Sequence, residues 1–282
     1  MTDQLLTARF VAARRARVTV TTVLGAILAG VPLLAALFGP LLAPTTPPGT
    51  APLLPPGGAG TLLGTDVLGR DVLGLALRGG TTVIALTVGA LILAYVVGAP
   101  LGLLMAATRR RRLATATLRV LDVFLVLPPL LVLLVLAGTG RRGVLWLLIA
   151  TALGQLPALV RLVRSAASAP RRRATMEAMI QSGESWWRVR LFEPWRAALG
   201  AMLVDTGTRV VLVVTMLTNA NFLGVGLDPA TIDWAVVIQQ NASSLYLAPA
   251  ALLVPAALLV ALCTGANLLA DRMLERRGGR QP

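Results

Sequence analysis

The sequence predicts an all-α, polytopic membrane protein with six transmembrane helices, and three observations carry that prediction. Apolar residues fill 56% of the 282 positions and charged ones only 13%, a balance foreign to a water-soluble globule. Six stretches, 18–42, 81–107, 123–137 with its leading turns, 144–163, 197–217 and 247–269, are rich in Leu, Val, Ala and Ile. A helix rising about 1.5 Å per residue needs about 20 such residues to cross about 30 Å of hydrocarbon. The arginines, finally, are sorted. With the N-terminus in the cytoplasm, 21 of 26 fall in inside segments, four (Arg70, Arg78, Arg141, Arg142) outside, and one, Arg209, within a span. Positive residues in short loops stay cytoplasmic, so both termini are expected inside.

The elements follow in order. In the N-terminal cytoplasmic segment 1–17, Leu5, Leu6, Phe10 and Val11 alternate with Arg9, Arg14 and Arg15, which fits either a short amphipathic helix on the inner leaflet or a solvated tail. The first span far exceeds the apolar core of a signal peptide, about 7–15 residues, and is expected to stay as an anchor. Residues 43–80 form an outer loop whose clustered Pro and Gly interrupt regular structure. At its end Val67, Leu68, Val72 and Leu73 recur at helical spacing while Asp66, Arg70 and Asp71 stay polar, predicting a short helix along the outer surface.

Arg109 to Arg112 read as a topology signal touching anionic lipid. In the third span Arg119 and Asp122 lie i, i+3 and can pair, and Pro128 and Pro129 interrupt it. That interruption is tolerated where neighbouring helices or a cavity satisfy the freed backbone. The inside loop 165–196 is the least apolar. Ala174 to Ser182 favours helix, Gly183 breaks it, and residues 185–192 form a second short helix ended by Pro194. Trp186 and Trp187 sit among arginines. A protein contact and an interfacial anchor on the membrane both explain them. The transmembrane domain thus runs over 18–271, with a cytoplasmic tail at 272–282.

The same residues exclude several chemistries. The chain has no lysine, so it holds no phosphate-binding Walker loop, which needs one. With no histidine and a single cysteine, Cys263, histidine triads and the usual zinc sets are impossible, and no metal site or catalytic residue is expected. Cys263 reads as a small buried apolar residue. The formal charge of +14 does not point to nucleic acid, because span-end arginines are explained by topology. Inside the membrane, Asp205 and Arg209 lie i, i+4, a spacing that permits an ion pair. A lone charge at mid-bilayer costs about 2.5–3.5 kcal/mol on insertion scales, so both should face the bundle or a pathway. They fit polar lining or a structural pair. Asn219 and Asn221, with Gln239, Gln240 and Asn241, would serve a polar cargo or face water.

Read together, several segments resemble the inner-membrane permease subunits of ATP-binding-cassette importers for dipeptides, oligopeptides and nickel, in particular the second permease of such systems. Leu63-Gly64-Thr65-Asp66 with Leu68-Gly69-Arg70-Asp71-Val72-Leu73 is similar to the family's outer-face motif before the second span. Arg119-Val120-Leu121-Asp122-Val123 with Leu127-Pro128-Pro129 is similar to its third span. Phe222-Leu223-Gly224-Val225-Gly226 with Asp233-Trp234, and Asn267-Leu268-Leu269-Ala270-Asp271, resemble its last outer loop and closing segment. Glu177, Ala178 and Gly183 match the cytoplasmic motif that begins Glu-Ala-Ala. Met179 departs from its second alanine, Pro194 arrives about two residues early, and Leu217 stands where the family has an acidic residue.

The resemblance implies the fold of a type I importer permease in a bacterial inner membrane. It implies a second permease subunit sharing one pathway, two cytoplasmic ATPase subunits that carry the ATP and Mg, and an extracytoplasmic solute-binding protein, with membrane lipid around them and no cofactor in this chain. Glu177, Ala178, Gly183, Trp186, Trp187, Arg188 and Leu191 would couple to an ATPase, and Asp66, Arg70 and Asp71 would dock at the outer face. Asp205, Arg209, Asn219 and Asn221 are the pathway candidates. Di- or oligopeptides are the first expected cargo, nickel or a metal chelate the second. A secondary transporter is the alternative of a different class, and would need ion-coupling groups of its own within the membrane.

Overall fold

The computed structural model describes residues 2–44, 50–108, 111–126, 129–141, 143–168, 170–185 and 188–278. Helices dominate them: α1 (Thr2–Leu42), α2 (Val72–Ala107), α3 (Arg111–Val126), α4 (Pro129–Gly138), α5 (Val144–Ala167), α6 (Pro170–Gln181), α7 (Glu193–Phe222), α8 (Trp234–Asn241) and α9 (Pro249–Gly278). No strand occurs among the described residues beyond one isolated antiparallel bridge between Thr65 and Asp71.

Five stretches are long and apolar enough to cross a membrane: Val20–Leu42, Val72–Ala107, Val144–Ala167, Glu193–Phe222 and Pro249–Met273. The expected third crossing differs. It is divided between α3, of 16 residues, and α4, of 10, roughly 24 and 15 Å long at about 1.5 Å per residue. Pro129 opens α4, the position where a missing N–H is harmless and from which the helix cannot be extended backwards. Pro128 lies outside the described residues.

The chain divides into two compact units, residues 1–84 with 232–282, and residues 85–231. In the first, α1 packs along α9. Their backbones approach at Gly265, where a Cβ would overlap the Ala29 amide, and the Arg272 guanidinium donates to Thr21 Oγ1. The N-terminal residues continue α1 back to Thr2 as helix. Asp233 caps α8, its Oδ1 accepting the Ala235 N–H at 2.9 Å. Trp234 is buried against Gly79 and Gly80 of α2 and donates its indole N–H to the Ala76 carbonyl at 2.7 Å. The indole takes the place of side chains that two glycines lack.

In the second unit α5 packs against α7, with α3 and α4 alongside α5. The last turns of α2 join through Gly98 and Gly102, which admit the side chains of Leu159 and Val163. Ala94, Ala99, Leu159, Val163, Ala198 and Met202 form its core, where small residues let helix backbones approach without a hydrophobic driving force between them.

Candidate functional site

Three places gather the candidate residues. The first is the segment leading into α2. Instead of the expected short helix, residues 63–71 form a tight knot. Gly64 and Gly69 hold φ of 81° and 75°, left-handed values that break a right-handed helix and that glycine adopts without steric cost. The Asp66 carboxylate closes the turn between them: Oδ1 accepts the N–H groups of Leu68 at 2.9 Å and Arg70 at 2.8 Å. Its Oδ2 accepts Arg70 Nε–H at 2.7 Å, and Arg70 Nη2 reaches Gln240 Oε1 at 2.6 Å. Asn241 braces the same turn, its Oδ1 accepting Val67 N–H at 3.1 Å. Asp71 is buried and its Oδ1 accepts Leu73 N–H at 2.8 Å, so it caps α2 at Val72 rather than lying inside a helix. Of the three residues assigned to docking, Asp66 and Asp71 are thus turned inward, and Arg70 alone keeps partial exposure, 26% of its side chain.

The second place lies within α5 and α7. Arg209 is buried and its Nε donates to Asp205 Oδ2 in the expected i, i+4 ion pair. Sequence reasoning missed its further partner. Gln155 of α5 accepts from Arg209 Nη1 through its side-chain Oε1 at 3.1 Å and its backbone carbonyl at 3.3 Å. Gln155 is the single amide in an apolar span, and that isolation was the available signal. Thr206 Oγ1 donates to the Met202 carbonyl at 2.7 Å, so the 2.8 Å contact with Tyr95 is a bond donated by the phenol. Asn219 is exposed, whereas Asn221 is buried and its Oδ1 accepts Leu227 N–H at 3.0 Å, close over Gly226. Asn221 braces the segment after α7. Leu217 is buried.

The third place is the segment joining α5 to α7. After Ser168, α6 runs to Gln181 and closes on Gly183, whose φ is 78°. Gly183 N–H donates to Ile180 O and Glu184 N–H to Met179 O, both at 3.1 Å, the paired bonds that satisfy the last carbonyls of a helix. Glu177, Ala178 and Ile180 are exposed, Ile180 at 58%. Glu184 and Arg188 pair at 3.0 Å on the surface. Residues Arg188–Phe192, including Leu191, form a π-helix that passes into α7. Pro194 therefore sits in the first turn of α7 instead of ending a helix, the place where proline fits best. Trp186 and Trp187 lie outside the described residues.

Comparison with known proteins places these features in a family. Residues 98–278 match the family described as binding-protein-dependent transport system inner membrane component. The chain is 23% identical to the glutathione transport system permease protein GsiD of Pectobacterium atrosepticum, over 74% of this chain and 69% of that one. It is 28% identical to the di/tripeptide transport system permease protein DppC of Pseudomonas aeruginosa, over 63% of this chain and 58% of that one. It is 29% identical to the probable peptide ABC transporter permease protein y4tQ of Sinorhizobium fredii, over 74% and 71%.

Proposed function

The chain belongs to the family of binding-protein-dependent transport system inner membrane components, and from that premise we propose that it pairs with a second permease to form the pathway of a peptide importer. The observation that carries this reading is the family match over residues 98–278, which takes in α6, the Gly183 turn and all of α7. Relatives named for glutathione, di/tripeptide and peptide transport support di- or oligopeptides as cargo. Two ATPase subunits on the cytoplasmic side supply the energy with their own ATP and Mg, and an extracytoplasmic binding protein delivers the solute.

The distribution of arginine supports cytoplasmic termini. In that topology α3 and α4 together make the third of six crossings, and the 18–271 region acts as one transmembrane domain. The segment between α5 and α7 then faces the ATPase. Glu177, Ala178 and Ile180 present an exposed face, Gly183 and Arg188 fix the turn beyond it, and Trp186, Trp187 and Leu191 complete the contact. A short rigid lever of this kind transmits rigid-body motion between spans. At the outer face Arg70 is the docking group, while Asp66 and Asp71 shape the loop that presents it.

The test is to purify the assembled complex and measure ATP hydrolysis with candidate cargoes on the binding protein. Stimulation by small peptides is expected; stimulation by a nickel chelate instead would reassign the cargo. Ile180→Asp and Gly183→Pro should leave the chain inserted and uncouple hydrolysis from uptake. Normal, coupled uptake in both variants would remove the assignment of this segment.

A further inference from the structure

One face of α7 is polar along much of its length, and most of its residues are exposed. Asp205, Thr208, Leu212, Thr215 and Asn219 are spaced three, four, three and four residues apart. At about 100° per residue they fall within an arc of about 80° and span about 21 Å of helix. Thr208, Leu212, Thr215 and Asn219 are exposed, and the Asp205 side chain is 27% exposed. The adjoining face, centred about 120° round the same helix, carries the buried Arg209, Val213, Leu217 and Ala220. In a membrane-spanning helix this pattern is inverted relative to a lipid-facing one.

Lipid is a poor occupant for this face. A carboxylate in hydrocarbon costs about 2.5–3.5 kcal/mol even on the mildest scale, and an amide adds to that. A closely packed helix is also disfavoured, since membrane helices meet through small residues and the stripe has Leu212 at its centre and no glycine. Water and a polar solute fit what remains. The groups on offer are hydroxyls, one amide and one carboxylate, with no cation among them. Arg209 is held from behind by Gln155 and takes only Oδ2 of Asp205; among the described residues no hydrogen bond engages Oδ1. Thr215 directs its proton to the Val211 carbonyl at 2.8 Å, which leaves its oxygen to accept. The stripe is therefore rich in acceptors.

We propose that this stripe forms the wall of a water-filled track and that Asp205 favours solutes bearing a cationic amino group, such as a peptide with a free N-terminus. The proposal rests on the permease reading above and names which part of the chain meets the cargo. It separates Asp205 and Asn219, which face the track, from Arg209 and Asn221, which brace the protein behind it.

The test is thiol reactivity in the complete transporter with its binding protein, in membranes. In a Cys263→Ser background, Thr208→Cys and Thr215→Cys are compared with Leu203→Cys, which is 65% exposed but lies about 160° round the helix. A charged methanethiosulfonate should modify the two stripe cysteines at least tenfold faster than the control. Ala-Ala should slow that modification severalfold, N-acetyl-Ala-Ala should not, and Asp205→Asn should abolish the protection while leaving the reactivity. Stripe cysteines no faster than the control, their efficient cross-linking to the second permease, or equal protection by both peptides would each overturn the proposal. The permease reading fails on a different measurement, ATP hydrolysis that ignores every cargo.

Discussion

Asp66–Arg70 and Asp205–Arg209 are the same pair in sequence, an aspartate four residues before an arginine, and the structure turns them opposite ways out. In the first the carboxylate is fully buried and the guanidinium side chain 26% exposed; in the second the guanidinium is 5% exposed and the carboxylate 27%. The buried member is in each case the one that makes more bonds, although Arg70 also reaches Gln240. Asp66 serves two backbone N–H groups as well as Arg70, and Arg209 serves two acceptors on Gln155 as well as Asp205. An ion pair at i, i+4 is thus no role in itself. The partner with more bonds to its surroundings is buried as structure, and the other keeps about a quarter of its side chain exposed. Glu184–Arg188 repeats the spacing a third time with both side chains partly or largely exposed, 33% and 60%, and neither is fixed by anything else described.

Removing members of these pairs sharpens the contrast. Asp66→Ala should be the most damaging, because it strands two amides around a fully buried site and leaves Arg70 with Gln240 alone. A loss of about 3–5 kcal/mol is expected for breaking a buried pair, read as a lower thermal midpoint in detergent and as faster tryptic cleavage after Arg70. Arg209→Gln comes next. It leaves Asp205 without its partner inside a span and should lower stability by about 2–3 kcal/mol, and Asp205→Asn combined with it should recover part of the loss in a double-mutant cycle. Strictly additive effects would mean that the two side chains act independently.

Gly64→Ala tests the frame that holds Asp66 rather than the pair. A Cβ there meets the Leu54 carbonyl at a left-handed φ of 81°, for which about 1–3 kcal/mol is expected, again by thermal unfolding. Glu184→Gln should change stability by no more than about 0.5 kcal/mol, the range of an exposed pair, and the change should vanish in high salt. A large effect there would place Glu184 in a contact with another subunit.

Much of this was legible in the chain before folding. Hydropathy located four of the five long spans within about five residues and the second except for its start, because lipid requires every backbone group to be satisfied within the helix and so leaves one pattern to read. The Asp205–Arg209 spacing permitted the ion pair that the structure shows. Gln155 stood out as an amide in an apolar span, but its partner is 54 residues away and the pairing itself has no local signature. The start of the second span was expected at residue 81, after an outer segment rich in proline and glycine. In the structure α2 begins at Val72, and the glycines of its first turns are seats, for Trp234 at Gly79 and Gly80 and for the Pro44 carbonyl at Gly74. Residues 63–71 carried a helical pattern of apolar positions, and two left-handed glycines overruled it. Asn221 looked like a cargo ligand because its type suits one; its amide is instead spent on the backbone of Leu227.

The unit that contains α1, α8 and α9 is discontinuous, residues 1–84 and 232–282, and this sets an order of assembly during synthesis. At about 5–20 residues per second, the roughly 150 intervening positions occupy a ribosome for some 7–30 s. Throughout that interval α1 is without α9, the groove at Gly79 and Gly80 is without its indole, and Thr21 is without the Arg272 guanidinium. The contiguous residues 85–231 can close on themselves first, so α1, held until then by the start of α2, gains its α9 contacts late.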